Sequence, residues 1–163
     1  YRDGENVGCV ISVSAGRQVR IEIARIAAQE LKDSGMDVSV EIPAQTDWAG
    51  QMAFLIGWGS PFDADDHTYK VFGTDKGANY SGYSNADVDK YLTEARQSAD
   101  PEVRAEAYAN FQKALAEDPA YAMICYIDAN YVADSNIKGI DPDTIMGHHG
   151  VGIFWNVADW TIE

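Results

Sequence analysis

GCVISVSAGRQVRIEIARIAAQELKDSGMDVSVEI, residues 8–42, reads as strand, helix and strand in succession, and that order decides the fold. Gly8 to Ser14 is a short apolar strand. Gly16 then opens the passage into a helix from Arg17 to Ser34. Val19, Ile23, Ala24, Ala27 and Leu31 recur at helical spacing, while Arg20, Glu22, Arg25, Glu30 and Lys32 supply a wet face. Gly35 is placed to end the helix in the left-handed conformation. Asp37 to Ile42 alternates apolar and polar residues as a half-buried strand does, and Pro43 stops it. A strand, a helix and a second strand joined at this spacing form a βαβ unit, which predicts a parallel pair with a right-handed crossover.

Downstream, Met52 to Ile56 is a continuous apolar run, predicting a strand buried on both faces. It opens abruptly into a loop that holds Gly57, Trp58, Gly59, Pro61, Phe62, several carboxylates and His67, and such loops at strand ends carry function. Ser84, with Asp87 three residues on, is expected to cap a second helix whose apolar face is Val88, Tyr91, Leu92 and Ala95. Asp100 caps a third helix with Pro101 in its first turn. Its buried side is Ala107, Tyr108, Phe111, Ala114 and Leu115, and Asp118-Pro119 ends it. Two β-rich runs follow, Ala122 to Ile127 and Tyr131 to Ala133, as a hairpin or as one strand resumed after a bulge. From Gly139 onward the chain is rich in Gly and aromatics and reads as loop plus a terminal strand that docks elsewhere.

Composition narrows the function. A length of 163 residues suits one domain or a piece of a larger protein. The formal charge of -14, from 26 acidic and 12 basic residues, argues against nucleic acid and against an anionic membrane surface as partners. Cys9 and Cys125 each sit in an apolar run and are expected to be buried free thiols. No apolar run of about 18 residues or more exists, so no membrane insertion is expected. Tyr1 to Val7 lacks a signal-peptide pattern, which suggests a mature or excised soluble segment. There is no G-x-S-x-G elbow, P-loop, G-x-G-x-x-G fingerprint or H-E-x-x-H helix, and DADDH lacks the Gly and distal Glu of an EF-hand loop. Asp63 and Asp66 could serve a hydrolase as a carboxylate pair, but no second functional cluster is positioned around them. A pure interaction module is a third class, since an excised lobe would expose apolar surface.

Four segments in order resemble a known family: LKDSGMDVSVEI, FLIGWGSPFDADDHTYKVF, NYSGYSNADVDKYLTEAR and DPEVRAEAYANFQKALAEDPAYAMICY. They are similar to the extracytoplasmic solute-binding proteins of peptide and nickel ABC transporters, the dipeptide- and oligopeptide-binding type. The resemblance implies an α/β fold, a periplasmic-binding-protein-like lobe with a mixed sheet and flanking helices. Residues 1–138 would form that lobe, and residues 139–163 would return toward the other one. Because members of the family are several times longer, it also implies an excised C-terminal fragment with half of a ligand cleft. Relatives carry a longer connection than Pro43 to Gln51; either this loop is shortened or residues are missing between Asp47 and Gln51. The expected function is capture of a peptide or small peptide-like ligand for an ABC permease. No catalysis and no cofactor are expected, and the full-length protein is expected to be an extracytoplasmic monomer, periplasmic or lipid-anchored.

The resemblance also directs attention to particular residues. In peptide-binding members a carboxylate shortly after the Trp pairs with the ligand's α-amino group. Here Gly59, Ser60 and Pro61 follow Trp58, so Asp63 is the best candidate for that anchor. Alternatively, Asp63 and Asp66 cap a helix that runs through His67 to Phe72. Trp58, Tyr69, Tyr80 and Tyr83, with Phe62, offer flat apolar area with polar tips, suited to side-chain-tolerant contact or to core packing. The candidate ligand-binding set is therefore Trp58, Gly59, Ser60, Asp63, Asp66, His67, Tyr69, Tyr80 and Tyr83. Nickel-binding relatives have a shorter Pro-aromatic-Asp-x-His stretch, which makes His67 the candidate metal ligand of the alternative reading, a nickel or metal-chelate binder. His148 and His149 adjoin on a Gly-flanked loop where neighbouring side chains point apart, so a joint site is not expected.

Overall fold

The computed structural model describes residues 8–59, 63–128, 130–141 and 152–163. The chain divides into two compact units, one up to Gly57 and one from Trp58 onward.

The first unit is the βαβ arrangement with one more strand. β1 (Gly8–Ser12) lies between β2 (Asp37–Glu41) and β3 (Ala53–Phe54), and both neighbours run parallel to it. The β1–β2 pair is parallel, as the sequence predicts, and its register runs from Gly8 opposite Asp37 to Ser12 opposite Glu41. α1 (Gln18–Asp33) ends at Gly35, whose φ of 94° is the left-handed conformation. The Gly35 N–H donates to the Lys32 carbonyl at 2.8 Å and the Met36 N–H to the Leu31 carbonyl at 3.0 Å, a paired closure that satisfies two orphan carbonyls.

The buried stripe of α1 differs from the expected one. Ile21, Ala24 and Ala28 face inward, and Ile21 and Ala24 pack with Val13, Ile11, Val40 and Leu55. Val19 is 58% exposed, and Arg20, expected on the wet face, is half-buried. The helix carries two overlapping apolar stripes, and Ala24 and Ala28 allow the closer approach to the sheet. The expected strand at Met52 to Ile56 also contracts: only Ala53 and Phe54 pair with β1, and Met52 is 72% exposed. A strand buried on both faces needs a layer on each, and α1 is the one α-helix of this unit among the described residues. Between β2 and β3 a 3₁₀ turn, Trp48–Gly50, is tied by the Gln51 side-chain amide donating to the Asp47 carbonyl at 2.9 Å.

The second unit is built on helices. α2 (Ala64–Phe72), α3 (Ala86–Gln97) and α4 (Pro101–Glu117) bury Val88, Leu92 and Phe111, with Phe72, Tyr69, Tyr83, Tyr91, Tyr108, Ala114 and Leu115 packed around them. The cap of α3 is Asn85 and not Ser84: the Asn85 side-chain oxygen accepts from the N–H groups of Asp87 at 3.0 Å and Val88 at 3.2 Å. Both residue types cap well, and Val88, Leu92 and Ala95 face inward as the sequence predicts. Asp100 caps α4 as predicted, accepting from Glu102 N–H at 2.8 Å with Pro101 in the first turn.

The predicted strands at Ala122 to Ile127 and Tyr131 to Ala133 make no ladder among the described residues, and Tyr126 and Val132 are fully exposed. β-propensity becomes a strand only where another edge accepts its N–H and C=O groups. Both cysteines are free, as expected, but neither is buried: Cys125 lies in this run and is exposed, and Cys9 is half-buried. Pairing occurs instead between β4 (Ile137–Lys138) and β5 (Thr161–Ile162), antiparallel, which supplies the expected terminal strand. His148 and His149 fall outside the described residues. Among the described residues no helix is long and apolar enough to cross a membrane.

Candidate functional site

An aromatic set gathers at the beginning of the second unit. The Trp58 indole is stacked with the Tyr80 ring, with centroids 6.3 Å apart and planes 12° apart. The His67 imidazole meets Trp58 edge to face at 5.6 Å. Trp58 is 37% exposed, so the set presents a flat aromatic face that is neither core nor fully solvated. Such a surface gains apolar contact without demanding a single hydrogen-bond pattern from what it meets.

Each member is delivered by a different local device. His67 comes from α2, where its Nδ1 lies 3.1 Å from the Asp66 carboxylate, which also accepts from Lys70 at 2.8 Å. The Lys70 hydrogen bond, foremost, holds the Asp66 carboxyl below the usual carboxylate range. Tyr80 comes from the loop after α2, which Asn79 organises. The Asn79 side-chain amide donates to the carbonyls of Gly73 at 2.9 Å and Tyr83 at 2.7 Å, and its oxygen accepts from Tyr83 N–H at 3.0 Å and Ser81 Oγ at 3.2 Å. The NYSG sequence carries a legible turn signal, with Gly82 at φ 67°, but sequence reasoning passed over Asn79 itself. Gly59 is buried beside Trp58 in the chain, and Ser60, Pro61 and Phe62 lie outside the described residues.

Asp63 is engaged elsewhere. Its carboxylate caps α2, accepting from Asp65 N–H at 2.8 Å, and both of its oxygens accept from Arg104 Nη2 at 2.8 Å. The Asp65 N–H first, and then Arg104, hold the Asp63 carboxyl below its ordinary range, and Asp63 in turn raises the Arg104 guanidinium. The capping alternative is thus the geometry that this residue adopts. Arg104 also donates to the Ala95 carbonyl at 3.0 Å, so one guanidinium ties the start of α2 to the end of α3 from its seat on α4.

Tyr69 and Tyr83 are not brought to the Trp58 set. Tyr69 packs among the helices, its ring 4.0 Å from the Arg96 guanidinium carbon and 4.9 Å from Lys76 Nζ. Tyr83 packs in the same core and its hydroxyl donates to the Asp118 carbonyl at 2.9 Å. Burial, foremost, raises the Tyr83 phenol above its ordinary pKa. Among the described residues no group of three or more His, Cys, Asp or Glu side chains could hold a metal ion.

No protein-family model matches the chain. Protein XP55 of Streptomyces lividans is 34% identical over 146 residues, covering 85% of this chain and 27% of that protein. The oligopeptide-binding protein AppA of Bacillus subtilis is 25% identical over 170 residues, covering 98% of this chain and 30% of that protein. Among solved structures, NikZ from Campylobacter jejuni in complex with Ni(L-His) superposes with a TM-score of 0.81 at 33% identity, over 99% of this chain and 34% of NikZ. AppA from Bacillus subtilis in complex with a nonapeptide shares the fold, with a TM-score of 0.68 at 23% identity, over 100% of this chain and 33% of its own. The chain therefore spans about a third or less of the length of the relatives it matches.

Proposed function

Over nearly its whole length the chain corresponds to a section of the bacterial substrate-binding proteins of peptide and nickel ABC transporters, and on that premise we propose that the full-length protein captures a peptide or peptide-like ligand outside the cytoplasm. It hands that ligand to an ABC permease and performs no chemistry. Capture proceeds by closure of two lobes, with specificity set by differential affinity for the closed state. The observation that carries this reading is the 33% identity and TM-score of 0.81 to NikZ across 99% of the chain. The Trp58–Tyr80 stack with His67 supplies the contact face, and Asp63, being engaged with Arg104, does not supply the amino-group anchor.

A second reading, a metal–amino-acid chelate as ligand, is favoured by one observation: His67 stands against Trp58 in a chain similar to a protein solved with Ni(L-His). A chelate brings most of its own donors, so one imidazole suffices from this face. Calorimetric titration of the full-length protein with a nonapeptide, with nickel alone and with nickel plus L-histidine separates the two. Peptide binding that survives His67→Ala, with no heat from nickel, supports the first reading and removes the second. Hydrolysis of any peptide removes both.

A further inference from the structure

Asn79 uses its whole side chain on the backbone around Tyr80. A primary amide has two N–H donors and one oxygen that can accept twice. Both donors are engaged, with the Gly73 carbonyl at 2.9 Å and the Tyr83 carbonyl at 2.7 Å, and the oxygen accepts from the Tyr83 N–H at 3.0 Å and from Ser81 Oγ at 3.2 Å. With Tyr83 the amide exchanges one hydrogen bond in each direction, as facing residues of antiparallel strands do. The backbone is tied as well: the Asn79 N–H donates to the Lys76 carbonyl at 3.0 Å, and the Ala78 N–H to the Lys70 carbonyl at 3.1 Å. Tyr80 therefore leaves a loop whose flanking residues, Asn79 and Ser81, are both held, and the loop is held to the end of α2.

This tether refers Tyr80 to the same helix that carries His67, so the two rings that meet Trp58 share one frame. Ring planes 12° apart require Tyr80 to leave its backbone in one direction, and that direction is what the Asn79 amide fixes. A loop tyrosine without such a tether would lose conformational freedom on meeting a ligand, and the loss would oppose binding. With its donors and its oxygen already engaged, the Asn79 amide is built to act on a ligand through Tyr80 and not by touching it.

We propose that Asn79 is the positioning residue of the aromatic face: it holds Tyr80 parallel to Trp58, so that a ligand meets the face already formed. The role rests on the ligand reading above. A double-mutant cycle tests it, with the full-length wild type, Asn79→Ala, Tyr80→Ala and the double variant each titrated with a nonapeptide and with nickel plus L-histidine. For the ligand that the wild type binds, Tyr80→Ala is expected to weaken binding about tenfold and Asn79→Ala about fivefold. In the Tyr80→Ala background, Asn79→Ala is expected to change binding by less than about twofold, because the residue it positions is gone. Asn79→Asp keeps the shape and an accepting oxygen, loses both donors and turns a negative charge toward two carbonyls. It is expected to bind as weakly as Asn79→Ala, and it carries the same cycle if Asn79→Ala does not fold. Asn85→Ala removes the cap of α3 and leaves the Asn79 bonds in place, so it is expected to lower the thermal midpoint and keep affinity within about twofold of the wild type. Wild-type affinity in Tyr80→Ala or in either Asn79 variant overturns the role while the ligand reading stands. So does an Asn79 effect of equal size with and without Tyr80, or a loss in Asn85→Ala as large as that in Asn79→Ala. If the wild type binds neither the nonapeptide nor nickel plus L-histidine, the ligand reading falls and the role of Asn79 with it.

Discussion

Asp63 shows how one side chain can be fully committed. Its carboxylate closes the N-terminus of α2 and clasps Arg104, so its two roles can be separated by substitution. Asp63→Asn retains an oxygen for the Asp65 N–H and loses the charge that holds Arg104, whereas Asp63→Ala loses both. Thermal denaturation is expected to rank the wild type highest, Asp63→Asn next and Asp63→Ala lowest; equal midpoints for the two variants would show that the cap contributes nothing. At this scale the residue types were legible before the geometry. Trp58, His67 and Tyr80 stood out as contact groups, but that they meet, while Tyr69 and Tyr83 turn into the helical core, depends on packing between α2, α3 and α4. Nothing in a one-dimensional pattern pairs Arg104 with a carboxylate 41 positions away.

At the scale of elements, local chemistry was readable where it closes within a few residues. Asp100-Pro101 at the start of α4 and Gly35 after α1 do what their backbone requirements dictate. The start of α3 is a finer test, because Ser84 and Asn85 compete for the cap. Asn85→Ala is expected to destabilise the chain by about 1 kcal/mol, and Ser84→Ala by less than about 0.5 kcal/mol, in urea denaturation. The reverse ranking would return the cap to Ser84. Elements whose existence depends on a neighbour were not readable in this way. Tyr126 and Val132 belong to runs of high β-propensity, yet their backbone finds no edge among the described residues, and an isolated extended segment is no strand. The choice of Ile21, Ala24 and Ala28 over the stripe through Val19 and Ile23 likewise belongs to the sheet beneath α1.

For the molecule as a whole, acid should act through the same carboxylates. Asp63 is held down foremost by the Asp65 N–H and Asp66 foremost by the Lys70 hydrogen bond, so both have folded pKa values below their unfolded ones. The stability that they contribute is fully present above the unfolded value of about 3.9 and is lost as pH falls through the folded values. The thermal midpoint is expected to hold from neutrality to about pH 5 and to decline below about pH 4, with a shallower decline in Asp63→Asn; an equally steep decline would place the acid-labile groups elsewhere. The Trp58 stack has a separate, optical consequence. Of the four tryptophans, Trp48 packs edge-on against Phe54, Trp160 packs against Phe154 and bonds to Asn156, and Trp155 is exposed. Replacing those three by phenylalanine leaves a single indole fluorophore, seated on Tyr80 and partly open to solvent. Its emission wavelength and its accessibility to iodide quenching then report occupancy of that aromatic face without any label.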